Sequence, residues 1–432
     1  LYFLPLSFIF IFERSIFLTI AFYTLGCKVN QYESESMKAE LLHKGFAVVD
    51  GAADVLVVNS CTVTAESDRK TRQLLSRLRR ENPESVLVLT GCMVQAFPDR
   101  SLELDADIII GNTDKRDLYS AIESFVKSRK KLTEIPKHIS GEAFAPCAIE
   151  RFSERTRAYI KIEDGCNKGC TYCIIPKARG RVRSRDLDDI AQEAGRLAKN
   201  GYKEVVLTGI NLSSYQFGLG RAVRAAADVD GIERVRLGSL EPDLTDTELL
   251  KELAQIEEFC PGFHLSLQSG CDETLRRMNR RYTSGFYYEL IEKIKDIFEN
   301  PAFTTDVMVG FAGETDEEFE QSLDFIDKIG FTHVHIFPYS RRDGTAAALF
   351  DGQISKNEKA RRCAVMAERA KKAAFRFHSD QIGKKFKVLV ESDTAGYSEN
   401  YIKVKLADAK AGQIVDVKIT AADDEGLTGI II

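Results

Sequence analysis

Cys166-Asn167-Lys168-Gly169-Cys170-Thr171-Tyr172-Cys173 places three thiols within eight residues. The C-x3-C-x2-C spacing is not that of zinc modules, which usually pair C-x2-C with a fourth Cys or His nearby. The next downstream histidine is His264, so nothing local completes a tetrahedral site. Three thiolates can instead hold three irons of a [4Fe–4S] cluster and leave the fourth iron open.

That arrangement resembles the triad of radical S-adenosylmethionine enzymes. In that superfamily the open iron chelates the amino and carboxylate groups of the methionine moiety. Reductive cleavage of the sulfonium then releases a 5′-deoxyadenosyl radical. Around the triad, strand-like runs recur at residues 158–163, 204–208, 234–237, 263–267, 304–309 and 333–337, with helical patterns between them such as 186–199 and 316–328. Six β/α units match the partial barrel of the superfamily, whose chemistry belongs at the strand carboxyl ends. Tyr172 stands where the superfamily sets an aromatic ring against the adenine. Gly209 and Asn211, in the Thr208-Gly209-Ile210-Asn211 turn, follow the second strand, where the methionine end is met. Gln268 and Val309 follow the fourth and fifth strands. These five are the expected cofactor contacts, although simple packing would equally explain Tyr172.

Outward from this region, residues 18–130 alternate apolar runs with amphipathic stretches. Strands are expected at 16–25, 54–58, 86–90 and 107–110, and helices at 31–44 and 66–80. Such alternation implies an open parallel sheet covered on both faces. Cys27, Cys61 and Cys92 each fall just past a strand's carboxyl end, the edge where open α/β sheets bind ligands. Their spacings, 34 and 31 residues, are one strand–helix unit each. Free cysteine is a common core residue, but three in equivalent places point to a shared metal site. Three thiolates with no fixed fourth ligand suit an iron–sulfur cluster with an open iron; a catalytic zinc is the competing reading.

Residues 376–432 carry short strand candidates at 385–391, 401–406, 414–419 and 427–432, which suggest a small β barrel. From His378 onward there are seven lysines and nine carboxylates, a net −2. RNA contact there would rest on individual groups: Lys384, Lys385, Lys387 and Tyr401. Arg179, Arg181, Arg183 and Arg185 alternate after the triad. In an extended segment they would share one face and suit phosphate; partners such as Asp186 and Asp188 are the alternative. Cys147, Cys260, Cys271 and Cys363 have no partner at ligand spacing and read as structural thiols.

Composition closes off other classes. Of 432 residues, 44% are apolar and 29% charged, with net charge −5, which excludes collagen, disordered and polytopic membrane proteins and gives no global nucleic-acid signal. Residues 1–12 are almost wholly apolar but too short to span a bilayer. Without a basic n-region or cleavage site, residues 1–17 read as an extension or misplaced start rather than a signal or anchor. The cysteine spacing suits metal or catalysis in a reducing cytoplasm.

Taken together, three cysteines on an α/β domain (residues 18–130), a radical S-adenosylmethionine core (145–375) and a TRAM-like RNA-binding barrel (376–432) resemble the methylthiotransferase family. Tyr23-Thr-Leu-Gly-Cys27-Lys-Val-Asn-Gln-Tyr-Glu33 is similar to the branch that modifies N(6)-threonylcarbamoyladenosine in tRNA. Leu267-Gln-Ser-Gly270, Thr305-Asp-Val-Met-Val-Gly310 and Phe337-Pro-Tyr-Ser340 fit as well. Ala312, where Pro is usual, Cys271, where Ser is usual, and a short segment near Gly218–Arg224 depart from the pattern. The resemblance implies two [4Fe–4S] clusters and S-adenosylmethionine. Cys166, Cys170 and Cys173 would hold the radical-forming cluster, and Cys27, Cys61 and Cys92 an auxiliary cluster carrying the sulfur. One S-adenosylmethionine methylates that sulfur; another supplies the radical that takes hydrogen from adenine C2. Implied partners are a tRNA anticodon loop, an electron donor such as a flavodoxin or ferredoxin, and a sulfur source, with no membrane. The competing functions are methylthiolation of isopentenyladenosine in tRNA or of ribosomal protein S12, and a non-catalytic RNA-binding metalloprotein.

Overall fold

A computed structural model describes residues 18–112, 117–145, 149, 152 and 156–432. Cys147 and residues 1–17 lie outside these. Two compact units meet in the chain at His138 and Ile139. No helix among the described residues is long and apolar enough to cross a membrane.

The first unit is built on six parallel strands. Their order across the sheet is Ala47–Val48, Thr19–Thr24, Val55–Ser60, Val86–Gly91, Ile108–Ile110 and Leu132–Glu134. Val55–Ser60 and Val86–Gly91 are buried at every residue, because a central parallel strand is covered on both faces. One face packs Met37, Leu41, Ile122 and Phe125 against Val57 and Val88. The other packs Leu75 and Leu78 against Leu56, Val58 and Leu89. Helix Ala65–Glu81 starts where the Thr64 side chain accepts the Ser67 N–H, a cap worth about 1 kcal/mol. The expected α/β class holds. The edge strands Ala47–Val48 and Leu132–Glu134 are additions that two or three residues could not announce.

In the second unit six parallel β/α strands form an arc: Arg157–Lys161, Glu204–Thr208, Arg234–Leu237 continuing as Ser239–Leu240, Gly262–Leu265, Ala302–Val309 and His333–Pro338. The third strand breaks at Gly238. Its first half pairs with the second strand and its second half with the fourth, which turns the sheet. All six expected strands are present, and among the described residues no ladder joins the first to the last. The segment near Gly218–Arg224 forms helix Leu219–Ala227, and Ala312 is buried.

After helix Lys356–Ser379 the chain closes a five-stranded barrel, ordered Lys385–Ser392, Ala395–Ser398, Lys403–Lys405, Leu427–Ile431 and Ile414–Ala422. The sequence suggested four of these. Ala395–Ser398 was hidden by its length and by Gly396, where a Cβ would collide with the backbone of Leu389. This barrel is fastened to the arc by charge. Glu204, fully buried, takes Arg236 Nε at 2.7 Å and Arg234 Nη1 at 3.4 Å, with Arg157 Nη1 at 3.9 Å. Arg236 also donates to the Ser398 and Glu399 carbonyls at 2.6 and 2.8 Å, and Arg234 to those of Tyr397 and Lys387. Burial alone would raise the Glu204 carboxyl; the Arg236, Arg234 and Arg157 charges outweigh it and hold the group below its ordinary range.

Tyr401 belongs to this joint. Its ring stacks on Tyr397 at 4.9 Å, and the Arg157 and Arg236 guanidiniums each lie 4.9 Å over it. Tyr401, expected among the groups for RNA contact, has its ring engaged by arginines of the same chain. Lys384 is held by Asn300 Oδ1 at 3.0 Å and Gln381 Oε1 at 3.1 Å. Lys385 and Lys387 remain exposed.

Candidate cluster and cofactor sites

In the first unit, Cys27, Cys61 and Cys92 follow three neighbouring strands. Cys27 is the N-cap of helix Lys28–His43, and Cys92 is the first residue of Cys92–Ala96. Gly91, at φ 106°, makes the turn into Cys92; a Cβ there would strike the Ser60 backbone. The three thiols gather around Cys61. Its pKa is pushed up to about 11, first by burial and then by Cys92 and Cys27. Asn30 organises the rim. Its Nδ2 donates to Leu25 O at 2.8 Å and Ser60 O at 2.9 Å, and its Oδ1 lies 3.9 Å from Cys92 Sγ. Asn59 in turn donates to Asn30 O at 2.9 Å. Neither asparagine was singled out from the sequence, although Asn30 sits three residues past Cys27.

Buried thiols with raised pKa are poor nucleophiles and become thiolates only beside a cation. Metal binding meets that cost, because ligation drives the protons off. Cys27 is exposed while Cys61 and Cys92 are buried, a depth gradient that leaves one side of a bound cluster reachable.

In the second unit, the loop carrying Cys166, Cys170 and Cys173 leaves the first barrel strand through the two-residue strand Glu163–Asp164, which pairs with Arg183–Ser184. Gly165, at φ 87°, allows the loop to pass against the Arg181 carbonyl, where a Cβ would clash. The loop is fixed by Cys166 N donating to Gly180 O at 3.0 Å, Thr171 N to Met278 O at 3.1 Å, and Ala347 N to Thr171 O at 2.8 Å. Burial pushes the Cys173 thiol up to about 12, with Cys170 and Cys166 adding to it.

Donors point at these sulfurs. Cys166 Sγ accepts from Lys168 N at 3.4 Å and Asn211 Nδ2 at 3.5 Å. Cys170 Sγ accepts from Arg280 Nη1 at 3.3 Å. Arg280 is buried over the Tyr282 ring at 5.0 Å and is paired with Glu241, which also takes Lys168 Nζ at 3.1 Å. Such donors stabilise the anionic sulfurs of a ligated cluster. Arg280 and Glu241 come from loops far away in sequence, and no spacing pattern marked them.

Beside Cys166 lies a set of acceptors suited to an amine. Glu163 is fully buried; its Oε2 accepts Asn211 N at 2.7 Å, and a Cβ on Gly209 would stand 2.7 Å from that oxygen. Its pKa is raised to about 8, first by burial, with the Asn211 N–H opposing. Glu163 Oε1 and Asn211 Oδ1 are buried without a hydrogen-bond donor. Two orphaned acceptors are costly and fit the α-ammonium of S-adenosylmethionine. Of the remaining expected contacts, Tyr172 packs edge-on to Phe311 at 6.3 Å. Gln268 has φ 66° and exchanges backbone hydrogen bonds with Asp306 and Met308. Val309 is buried, with its carbonyl accepting Tyr339 N at 2.8 Å.

The arginine run does not form one face. Gly180, at φ 70°, separates helix Ile175–Arg179 from Arg183–Ser184. Arg179 is buried against Asp164 at 3.4 Å, Arg183 reaches Asp164 at 3.4 Å and Glu142 at 3.6 Å, and Arg185 is buried on Glu193. Arg181 alone of the four is exposed. The carboxylate reading wins, with other partners than Asp186 and Asp188. Arg181 and Arg183 also line a cavity of about 540 Å³ with Phe144, Asn167 and Gln216. Cys260 and Cys271 are buried and Cys363 partly so, in keeping with structural thiols.

Residues 160–326 match the Radical SAM superfamily, and residues 19–111 match the Uncharacterized protein family UPF0004. The chain is 36% identical over 420 residues to the threonylcarbamoyladenosine tRNA methylthiotransferase MtaB of Thermotoga maritima, covering 95% of this chain and 96% of that one. It is 36% identical to the Bacillus subtilis protein of that name, covering 94% of each. The tRNA-2-methylthio-N(6)-dimethylallyladenosine synthase of Finegoldia magna is 32% identical, over 95% of this chain and 94% of that one. Among solved structures, the radical S-adenosylmethionine methyltransferase TsrM of Kitasatospora setae aligns with TM-score 0.57 at 14% identity over 77% of each chain, a likeness of fold.

Proposed function

The chain belongs to the threonylcarbamoyladenosine tRNA methylthiotransferase family of radical S-adenosylmethionine enzymes, and from that premise we propose how its residues divide the work. The enzyme methylthiolates tRNA at C2 of N(6)-threonylcarbamoyladenosine, using [4Fe–4S] clusters and S-adenosylmethionine. Residues 18–130 form the methylthiotransferase domain, 145–375 the radical core and 376–432 the RNA-binding barrel. Cys166, Cys170 and Cys173 hold the radical-forming cluster; Cys27, Cys61 and Cys92 hold the auxiliary one.

Bound in the core, the cluster and S-adenosylmethionine supply a carbon radical able to take hydrogen from an unactivated C–H bond, chemistry that no side chain provides. The chain supplies position and environment. Arg280, Lys168 N and Asn211 steady the thiolates of Cys170 and Cys166. Glu163 Oε1 and Asn211 Oδ1 would hold the cofactor's ammonium, with Gly209 leaving room. Gln268 and Val309 offer backbone groups at the strand ends, and Tyr172 walls the pocket. In the first unit Asn30 fixes the rim on which Cys27, Cys61 and Cys92 converge. The nucleoside is read in the single-stranded anticodon loop, where a base can be splayed into a pocket. A flavodoxin- or ferredoxin-type donor delivers the electron, a separate source renews the sulfur, and the setting is the cytoplasm.

The observation that carries this reading is the convergence of Cys27, Cys61 and Cys92, distant in sequence, on one sheet rim in addition to the barrel triad. The test is expression in a bacterium lacking tRNA methylthiotransferases, with nucleosides of its tRNA measured by mass spectrometry. Methylthio-threonylcarbamoyladenosine is expected. Methylthio-isopentenyladenosine, or methylthiolated ribosomal protein S12, in its absence would overturn the assignment.

A further inference from the structure

Three of the six histidines in the chain, His264, His333 and His335, fall on the two strands of the arc that flank Ala302–Val309. The ladder pairs His264 with Thr304, Thr304 with His333, and Asp306 with His335. Side chains alternate across a strand, so Thr304 and Asp306 share one face with these rings. The other face carries Thr305, which lies beside Tyr287 of helix Ser284–Ile297; both hydroxyls donate to Leu265 O. On the histidine face, two residues before His264, a Cβ on Gly262 would stand 3.0 Å from Tyr401 Cβ. The cluster therefore lies on the face of the arc opposite helix Ser284–Ile297, toward the joint with the small barrel.

The Thr304 hydroxyl engages His264 Nδ1 at 2.9 Å, which leaves Nε2 for the cluster. That nitrogen is buried, lies 3.3 Å from Asp306 Oδ2, and makes no hydrogen bond. The ring and the carboxylate are thus close but not aligned for a shared proton, and a cation between them would satisfy the orphaned His264 Nε2. The His335 ring stands 5.7 Å from that of His264 and 4.4 Å from that of His333. One ligand atom each from His264, Asp306 and His335 lies within 4.8 Å of the other two.

We propose that His264, Asp306 and His335 form a site for a divalent first-row metal ion, separate from both cysteine sets. Two imidazoles and one carboxylate are a borderline donor set that suits Zn²⁺ and leaves a coordination position open. Zinc bonds of about 2.1 Å place tetrahedral donors about 3.4 Å apart; His264 Nε2 and Asp306 Oδ2 already stand 3.3 Å apart, so His335, within 4.8 Å of both, must close in by up to about 1.4 Å. His335 is exposed and can supply that movement by side-chain rotation. The open position would take an oxygen anion such as a carboxylate.

The test uses anaerobically reconstituted, tag-free holoenzyme, so that cluster iron occupies the cysteines. Zn²⁺ is titrated against a chromophoric chelator, and zinc and iron are counted after gel filtration. One zinc per chain above the iron content is expected. His335→Ala and Asp306→Asn should weaken it by about tenfold or more, since even outer partners of a ligand are worth that much, with iron unchanged. His335 is exposed, so His335→Ala keeps the fold whether or not Asp306→Asn does. Absence of zinc uptake by the wild type, or uptake by His335→Ala equal to it, would overturn the proposal.

Discussion

Glu204→Gln should loosen the small barrel from the arc. The side chain is fully buried among Arg157, Arg234 and Arg236. Gln keeps the shape and can still accept Arg236 Nε, but it removes the buried negative charge that the three arginines share. Arg157 keeps Glu391 at 3.0 Å and Arg234 keeps Glu399 at 4.0 Å, both carboxylates partly exposed, whereas Arg236, with a side chain only 4% exposed, loses the one carboxylate it pairs with among the described residues. Breaking a buried pair from one side costs about 3–5 kcal/mol. At about 2 °C per kcal/mol for a domain this large, the melting temperature should fall by roughly 6–10 °C. The comparison is Glu273→Gln, whose partner Arg276 is 72% exposed and which should cost under about 1 kcal/mol. The assay is anaerobic thermal unfolding followed by far-UV circular dichroism, with limited proteolysis reporting release of residues 376–432. Acid gives a second reading. Glu204 is depressed from its ordinary 4.5, so its contribution is fully present above about 4.5 and is lost as pH falls through the depressed value. The gap between wild type and Glu204→Gln should be constant from neutral pH down to about 4.5, shrink as pH falls from there, and be closed below the depressed value. A loss no larger than that of Glu273→Gln would refute the view that this network locks the barrel.

Arg280→Met removes a donor and a positive charge from Cys170, so the potential of the core cluster, read by electron paramagnetic resonance during reductive titration, should move to more negative values. Arg181→Gln should reduce the salt dependence of tRNA binding by about 0.7–0.9 in log–log slope for one lost phosphate contact, whereas Arg183→Gln, whose charge is spent on Asp164 and Glu142, should leave the slope unchanged. Replacing Cys166, Cys170 and Cys173 together by Ala should lower reconstituted iron from about 8 to about 4 per chain; zinc in place of iron in the wild type would contradict two clusters.

Much of this architecture was legible because its signals are local. Apolar runs such as Asp-Val-Leu-Val-Val at residues 54–58, set between amphipathic stretches, read directly as buried parallel strands. Cysteines just past their ends follow from strand-end chemistry. The triad carries its meaning in its spacing. What stayed hidden depends on contacts across the fold. The arginines from Arg179 to Arg185 looked like one face only if the chain stayed extended, and Gly180 ends that. Their carboxylates, Asp164, Glu193 and Glu142, are not the neighbours in sequence. Tyr401 was read only as a group for RNA contact because nothing nearby in sequence announces Arg157 and Arg236. Glu163, Asn30 and Arg280 gained meaning only when orphaned acceptors and sulfur-directed donors were seen in place. The bend at Gly238 was likewise unreadable, since one glycine inside an apolar run has many explanations.

The claim at the centre is that two cysteine sets do different jobs in one reaction. The most direct measurement is a paired assay on anaerobically reconstituted enzyme with tRNA bearing threonylcarbamoyladenosine, reading 5′-deoxyadenosine release and methylthiolated nucleoside together. The variant with Cys27, Cys61 and Cys92 replaced by Ala should still cleave S-adenosylmethionine reductively and form no methylthio product. Methylthiolation at the wild-type level by that variant would contradict the account.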